Sequence, residues 1–365
     1  MTTTIVSDFH LGARMSLLAV PAARRRLIAE LADVDRLVLL GDVLALRDGP
    51  ALNVLEAARP LLEELAEALE GRQVVIVPGN HDHQLAVPLL ERRRLDEDGD
   101  DLAVEWVVEP GASGLLDWIV AALRGVEVVV AYPGVWIRPD VYATHGHYLD
   151  CHMTVPRVEC VLAGLMKAVT GGPPESGALP QDYEATVAPI YAFAYAAAQS
   201  AAGRDEGQSF GAGLWRRLKA HGHEHVRGAT GRASTLVGGA LAVAAVAALN
   251  RSGFGAFRAD LSPAELGRAG VRAMVEVVRR LDVEANHVLF GHTHRPGPLD
   301  GEVPWALPGG ASLVNTGSWV YSPALVGDAG ERGPYSPGTC AVVHDNGPPE
   351  LRRVLGGVSP SPATP

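Results

Sequence analysis

The chain is 365 residues long, with 47% hydrophobic residues, 41 glycines, 26 prolines and a formal net charge of −11. That length suits one large domain carrying an insertion, and the acidic balance argues against general nucleic-acid binding, which needs Lys and Arg to neutralise phosphates. Three cysteines (Cys151, Cys160, Cys340) without a Cys-x-x-Cys pair provide neither a disulfide framework nor a thiolate zinc site.

The first element in chain order is a strand in "TTTIVSDFH" (2–10). The N-terminus lacks the basic start and long apolar core of a signal peptide, so a cytoplasmic protein is expected. Residues 14–33 carry Leu and Ala at helical spacing, "RLVLLGD" (36–42) reads as a second strand, and 51–70 as a second helix stopped at Gly71. A third strand follows in "QVVIVPGNHD" (73–82). Strand, helix, strand, helix implies a layered α/β domain. The stretch "VEVVVAYPGVWIRPDVYATHG" reads as a hairpin, with Pro133-Gly134 or Arg138-Pro139-Asp140 available for the turn. Its second arm ends in "THGH" (144–147).

Residues 151–285 differ in character. They are Ala-rich and mostly helical in pattern, and they hold 14 Lys and Arg against 12 Asp and Glu, leaving −13 on the rest of the chain. Such asymmetry points to a helical module inserted into the main fold. Two uncharged runs, 185–203 and 233–250, approach the length of a membrane span. Buried cap helices are the first reading for them, with interfacial membrane contact or a hairpin span as alternatives. Tyr183, Tyr191, Phe193 and Tyr195 read as packing within the cap. His221, His223 and His225 read as a solvated loop, with no second cluster to complete a metal site. Arg216, Arg217 and Lys219 read as a solvated helix face or as a rim attracting an anionic substrate or lipid surface.

After the insertion, "NHVLFGHTH" (286–294), "SLVNTGSWV" and "GTCAVVHD" read as further strands, and the tail 356–365 is expected to be disordered. His287 and His344 are expected to be structural. Several strands end in the same way, with Gly, Asp, Asn or His following the apolar run at once. In open α/β sheets, ligands collect outside the C-terminal ends of the strands. The residues that fall there are Asp8, His10, Asp42, Asn80, His81, Asp82, His145, His147, His292 and His294. Oxygen and imidazole donors without sulfur suit divalent Mn, Fe, Zn, Co or Ni. There are more of them than one four-coordinate ion needs, and a shared carboxylate would let them hold two.

The ordered set D-x-H, G-D, G-N-H-D, H-G-H and G-H-T-H resembles the calcineurin-like metallophosphoesterase superfamily, over about 1–150 and 286–320. The resemblance implies a four-layer αββα sandwich of two mixed sheets. The core would be 1–150 and 286–350, with 151–285 as a mostly α-helical inserted cap. It implies one metal held by Asp8, His10, Asp42 and His294 and another by Asp42, Asn80, His145 and His292, with Mn favoured. The expected reaction is hydrolysis of a phosphodiester, phosphomonoester or pyrophosphate bond by a hydroxide bridging the two ions. His81 would stabilise or protonate the leaving oxygen, with Asp82 orienting its imidazole. Asp82 as a helix cap is the alternative. His147 is a candidate contact to the substrate phosphate. Arg14 is another, or simply the start of the first helix.

The cap position is similar to that of the UDP-2,3-diacylglucosamine pyrophosphatases, which suggests a lipid-linked or nucleotide-diphosphate substrate and peripheral contact with the inner face of a membrane. Those enzymes commonly carry Arg where this chain has His81, which weakens that link. A phosphorylated small molecule is the other substrate class. No specific nucleic-acid partner is expected, so a nuclease ranks lower. A non-catalytic scaffold ranks last, because no ligand of the pattern is missing.

Overall fold

The computed structural model describes residues 1–95, 101–108, 113–200, 246–247, 249–253, 255–258, 260, 262–326 and 333–356. The strands are β1 (Thr3–Val6), β2 (Arg36–Leu40), β3 (Gln73–Val77), β4 (Glu105–Val108), β5 (Glu127–Arg138), β6 (Val141–Thr144), β7 (His287–Phe290), β8 (Trp305–Ala306), β9 (Ser312–Asn315), β10 (Thr339–Val343) and β11 (Glu350–Arg353). They run in the order β11-β10-β1-β2-β3-β5-β6-β7-β9-β8, with β4 beside β5. β1, β2, β3 and the first half of β5 are parallel, as are β6, β7 and β9.

β5 turns two half-sheets into one. Its residues 127–130 pair with β3, and its residues 134–138 pair antiparallel with β6. Pro133-Gly134 therefore lies inside a continuous strand, and the hairpin turn falls at Arg138–Asp140, the second of the two expected positions. The expected pair of sheets is thus one sheet that curls over on itself.

Period-2 alternation of side chains sets the layers. Ile5, Val38, Leu40, Val75, Val77, Val141, Ala143, Leu289, Val314, Ala341 and Val343 meet in a core between the two halves of the sheet. Their neighbours in β1, β2, β3 and β10, such as Val6, Leu39, Ile76 and Val342, face the other way. They pack on α1 (Pro21–Glu30), α2 (Ala51–Ala68), α3 (Val87–Leu95) and α4 (Gly114–Ala122). On the far side, Tyr142, Val288, Phe290 and Leu313 pack on α5 (Val158–Thr170), α6 (Pro180–Ser200) and α7 (Pro263–Arg280). Helix, sheet, sheet, helix is the four-layer order that the family resemblance implies.

The first helix is shorter than the Leu and Ala spacing predicts. It begins at Pro21, whose fixed φ suits the first helical position, after a 3-10 turn at Leu17–Ala19. Arg14 lies in the exposed turn before it and does not start a helix. Of the aromatics expected to pack, Tyr183 and Tyr191 are buried and Tyr195 half-buried, but Phe193 stands 62% exposed. No helix among the described residues is long and apolar enough to cross a membrane. The run 185–203 falls largely in α6, whereas most of 233–250, the His221–His225 cluster, Arg216, Arg217, Lys219 and the tail from 357 lie outside the described residues.

Candidate metal centre

The polar clusters sit at the C-terminal ends of β1, β2, β3, β6 and β7, on one edge of the curled sheet. Each parallel strand must turn sharply to leave its side chains over that edge. Among the described residues, six non-glycine residues have positive φ, and five are Asp8 (56°), His10 (46°), Asp42 (53°), His292 (63°) and His294 (60°). Such backbone costs of order 1–3 kcal/mol per residue and persists where surrounding contacts enforce it. Here they do: the Asp8 and His10 amides donate to the carbonyls of Gly41 and Asp42 at 3.0 and 2.8 Å. Two glycines are required by proximity. A Cβ on Gly41 would lie 2.3 Å from the His145 ring, and one on Gly79 would lie 2.4 Å from Asp42 Oδ1. The loop after β9 supports the last cluster, with Asn315 Nδ2 donating to the Gly291 carbonyl (2.8 Å) and to Thr293 Oγ1 (3.1 Å).

Two donor sets result. In the first, Asp8 Oδ1 is 3.2 Å from His294 Nε2 and 3.8 Å from His10 Nε2. His10 Nε2 is also 3.4 Å from Asp42 Oδ2. In the second, Asp42 Oδ2 is 3.4 Å from His145 Nε2, and Asn80 Oδ1 is 3.2 Å from His145 Nε2 and 3.0 Å from His292 Nδ1. Four donors at about 2.1 Å around a tetrahedral ion stand about 3.4 Å apart. Asp42 Oδ2 belongs to both sets.

The chemistry of the donors fits a cation. Asp8 Oδ1 and His10 Nε2 are buried without a hydrogen-bond partner. His145 Nδ1–H donates to the Leu40 carbonyl at 2.9 Å, which turns a bare Nε2 into the site. His292 Nε2–H donates to Asp150 Oδ2 at 3.0 Å, leaving Nδ1 bare on the inner side. The Asn80 amide can meet these lone pairs in two ways. With nitrogen inward, it donates to His292, His145 and Asp42, and its oxygen accepts from Arg47 Nη1 at 2.7 Å. With oxygen inward, four acceptors converge with no hydrogen among them, an arrangement that a metal ion satisfies.

Electrostatics agree with ionised carboxylates facing imidazoles. Burial pushes the Asp8 carboxyl up, but His294 and His10 outweigh it and hold it well below the usual range. Burial likewise raises Asp42, and His145, His81 and His10 together reverse the sign. Burial drives His145 down, but Asp42, Asp8 and the Leu40 carbonyl together raise it to about 10, so a metal ion at Nε2 would displace a proton there. Burial holds the His81 imidazole well below its usual range, against the pull of Asp42.

The other expected residues are placed as follows. His81 sits at the edge of the first set, its ring 4.5 Å from that of His10, with its amide donating to Asp42 Oδ1 at 2.7 Å. Asp82 does not orient the His81 ring and caps no helix with its side chain. Fully buried, it accepts from the backbone N–H groups of Gly79 (2.6 Å), Val43 (2.7 Å), Leu44 (3.2 Å) and Asp42 (3.3 Å). It clips the β2 and β3 loops together. The carboxylate nearest the His81 ring nitrogens is Asp48, with Oδ1 3.7 Å from Nδ1, and burial pushes Asp48 up to about 6. His147 is buried with Nε2 against the Tyr132 hydroxyl at 3.1 Å. Arg14 is exposed.

Asp48 and Asp150 escaped the motif reading. Asp48 follows the G-D cluster within the same loop, and Asp150 lies five residues past His145, so proximity to a ligand was the available signal. The carboxylate behind a metal-ligating histidine commonly governs affinity about 10–100-fold. Asp150→Asn is therefore expected to weaken metal uptake through His292 by that factor, read by titrating chelator-stripped protein with Mn²⁺.

The family model for calcineurin-like phosphoesterase matches residues 1–227. No curated protein matches the chain. His292 and His294 lie beyond the matched region, and the fold itself returns them to the edge that carries Asp8 and Asp42. With the family matched over more than half its length and its His and Asp clusters gathered at the strand ends, the chain belongs to the calcineurin-like phosphoesterases, hydrolases that work with divalent metals.

Proposed function

We propose that the protein hydrolyses a phosphoester or pyrophosphate bond at a centre of two divalent ions, Mn favoured, that share Asp42. The observation that carries this reading is Asp42 Oδ2, which stands 3.4 Å from His10 Nε2 of one set and 3.4 Å from His145 Nε2 of the other. The ions, when bound, supply Lewis acidity toward phosphoryl oxygens and make water acidic enough to attack near neutral pH.

The chain does the rest. Asp8, His10 and His294 would hold one ion, and Asn80, His145 and His292 the other. Leu40 and Asp150 keep the bare nitrogens of His145 and His292 turned inward. His81 stands outside both sets, pinned by its amide to Asp42, with an imidazole 15% exposed at the rim. From there it can donate to, or protonate, the leaving oxygen. His81→Ala is expected to keep its metal content while turnover falls about 10²–10⁴-fold. Loss of metal would contradict this placement.

The test of the whole reading is a panel with Mn²⁺ added: aryl phosphomonoesters and diesters, nucleotide pyrophosphates and lipid-linked diphosphates. Hydrolysis abolished by chelator and restored by Mn²⁺ supports it, and inactivity on every arm sinks it. A second reading, a pyrophosphatase for lipid-linked or nucleotide diphosphates at a membrane surface, draws on the outer faces of α5 and α6. Leu165, Val169 and Phe193 are exposed there at 43%, 76% and 62%. A marked preference for the lipid-linked arm would select that reading.

A further inference from the structure

The one carboxylate that α6 buries beside the metal centre is absent from every motif. Glu184 is 4% exposed and makes three side-chain contacts, each to a segment leading into the site. Its Oε2 pairs with His83 Nε2 at 2.9 Å. Its Oε1 accepts from the hydroxyl of Tyr148 at 2.7 Å and from that of Tyr132. Burying a carboxylate costs several kcal/mol unless donors surround it, and here they do. Burial alone would raise the Glu184 carboxyl, but His83 and the two hydroxyls outweigh it and keep it below its usual range.

The partners of Glu184 are distributed unevenly over the two donor sets. His83 ends the loop that carries Asn80. Tyr148 lies in the short turn His147–Cys151, directly after His145. That turn also carries Asp150, which orients His292. The Tyr132 hydroxyl, held by Glu184, reaches His147 in the same turn. Asn80, His145 and His292, the three residues proposed for the second ion beside Asp42, are therefore linked to Glu184 through its side-chain partners and the short stretches of main chain that carry them. Among the described residues, no side-chain hydrogen bond of Glu184, His83, Tyr132 or Tyr148 reaches Asp8, His10 or His294, and the first set is approached from this loop through the His81 ring beside His10.

We infer that Glu184 is a positioning residue through which helix α6 sets the affinity of the second ion, held by Asp42, Asn80, His145 and His292, and leaves the first unaffected. The inference rests on the two-ion centre proposed above. It makes α6 a working part of the metal site as well as a cover packed on the sheet.

The test uses the full chain, stripped with chelator and titrated with Mn²⁺ while free Mn²⁺ is followed by electron paramagnetic resonance. The wild type is expected to take up two ions. Glu184→Ala is expected to weaken one of them about tenfold, at the lower end of the range for residues behind a ligand, with the other unchanged. Glu184→Gln, which keeps size and one acceptor, should weaken the same ion less. It carries the test with the same outcomes if the alanine variant does not fold. Asp150→Asn should strike that ion too, and the Glu184→Gln/Asp150→Asn double variant should lose less than the two single losses combined, because both act through one turn. A purely structural role would lower the melting temperature and either spare both ions or weaken them equally, and either result overturns the inference. If the wild type takes up no ion, the two-ion centre itself fails and the inference falls with it. Two ions in the wild type with unchanged affinities in folded Glu184→Ala overturn the inference alone.

Discussion

Asp42→Asn is expected to lower metal-dependent turnover by about 10³-fold or more, which is roughly 4 kcal/mol of transition-state stabilisation. Both oxygens of Asp42 are engaged. Oδ2 faces His10 and His145 at 3.4 Å each, and Oδ1 accepts the His81 amide at 2.7 Å. An amide in this place has one oxygen for two tasks. Either its NH₂ opposes the His81 N–H, or it occupies the position shared by the two donor sets. The missing charge matters as well, since the carboxylate is the single anion common to both sets. Steady-state rates at saturating Mn²⁺, together with metal content per chain, read the effect. Near wild-type rates in a folded variant would show that Asp42 is not shared.

The largest loss of stability is expected from Asp82→Ala. Its carboxylate is 0% exposed and accepts from four backbone N–H groups in the β2 and β3 loops. Truncation leaves those donors buried without acceptors, each at about 1–3 kcal/mol before relaxation. A net loss of about 3–5 kcal/mol is the expectation once the loops relax around the orphaned N–H groups. Asp82→Asn keeps one accepting oxygen and should fall between. Urea unfolding of the chelator-stripped protein is the appropriate measurement, because metal binding would otherwise add its own linkage to the apparent stability. A midpoint close to wild type would mean that the loops hold their shape without the clip.

The strand-end clusters were legible because their signal is local. A buried parallel strand is a short apolar run, and the residue after it must turn, so "LVLLGD" and "VLFGHTH" announce both the strand and the site. The layers were legible in part: the segment order implied a layered α/β domain and the family resemblance two sheets, whereas the continuity of β5 through Pro133-Gly134 depends on which neighbours its two ends find. Asp82 misled for a related reason. It adjoins His81 in the chain, but its side chain turns away into the loop backbone, and Asp48, more than thirty residues earlier, lies nearest the imidazole. Asp150 and Glu184 carry no motif because their roles exist only through tertiary contacts. A glutamate in an Ala-rich helix reads as a solvated residue until the tyrosines of β5 and the His147–Cys151 turn close over it.

β6 and β7 are adjacent and parallel, so the chain leaving Thr144 must cross over before it returns at His287. Such a connection needs a dozen residues or more, and nothing in the pairing limits it from above. Loop-closure entropy rises by only about 0.6 kcal/mol per doubling of length, so stretching a minimal crossover to the present one costs about 2 kcal/mol. His145 leaves the first strand and His292 follows the second, and the ladder between them fixes their spacing whatever the detour contains. Lengthening or shortening this crossover is thus cheap in free energy and leaves His145 and His292 at the same spacing.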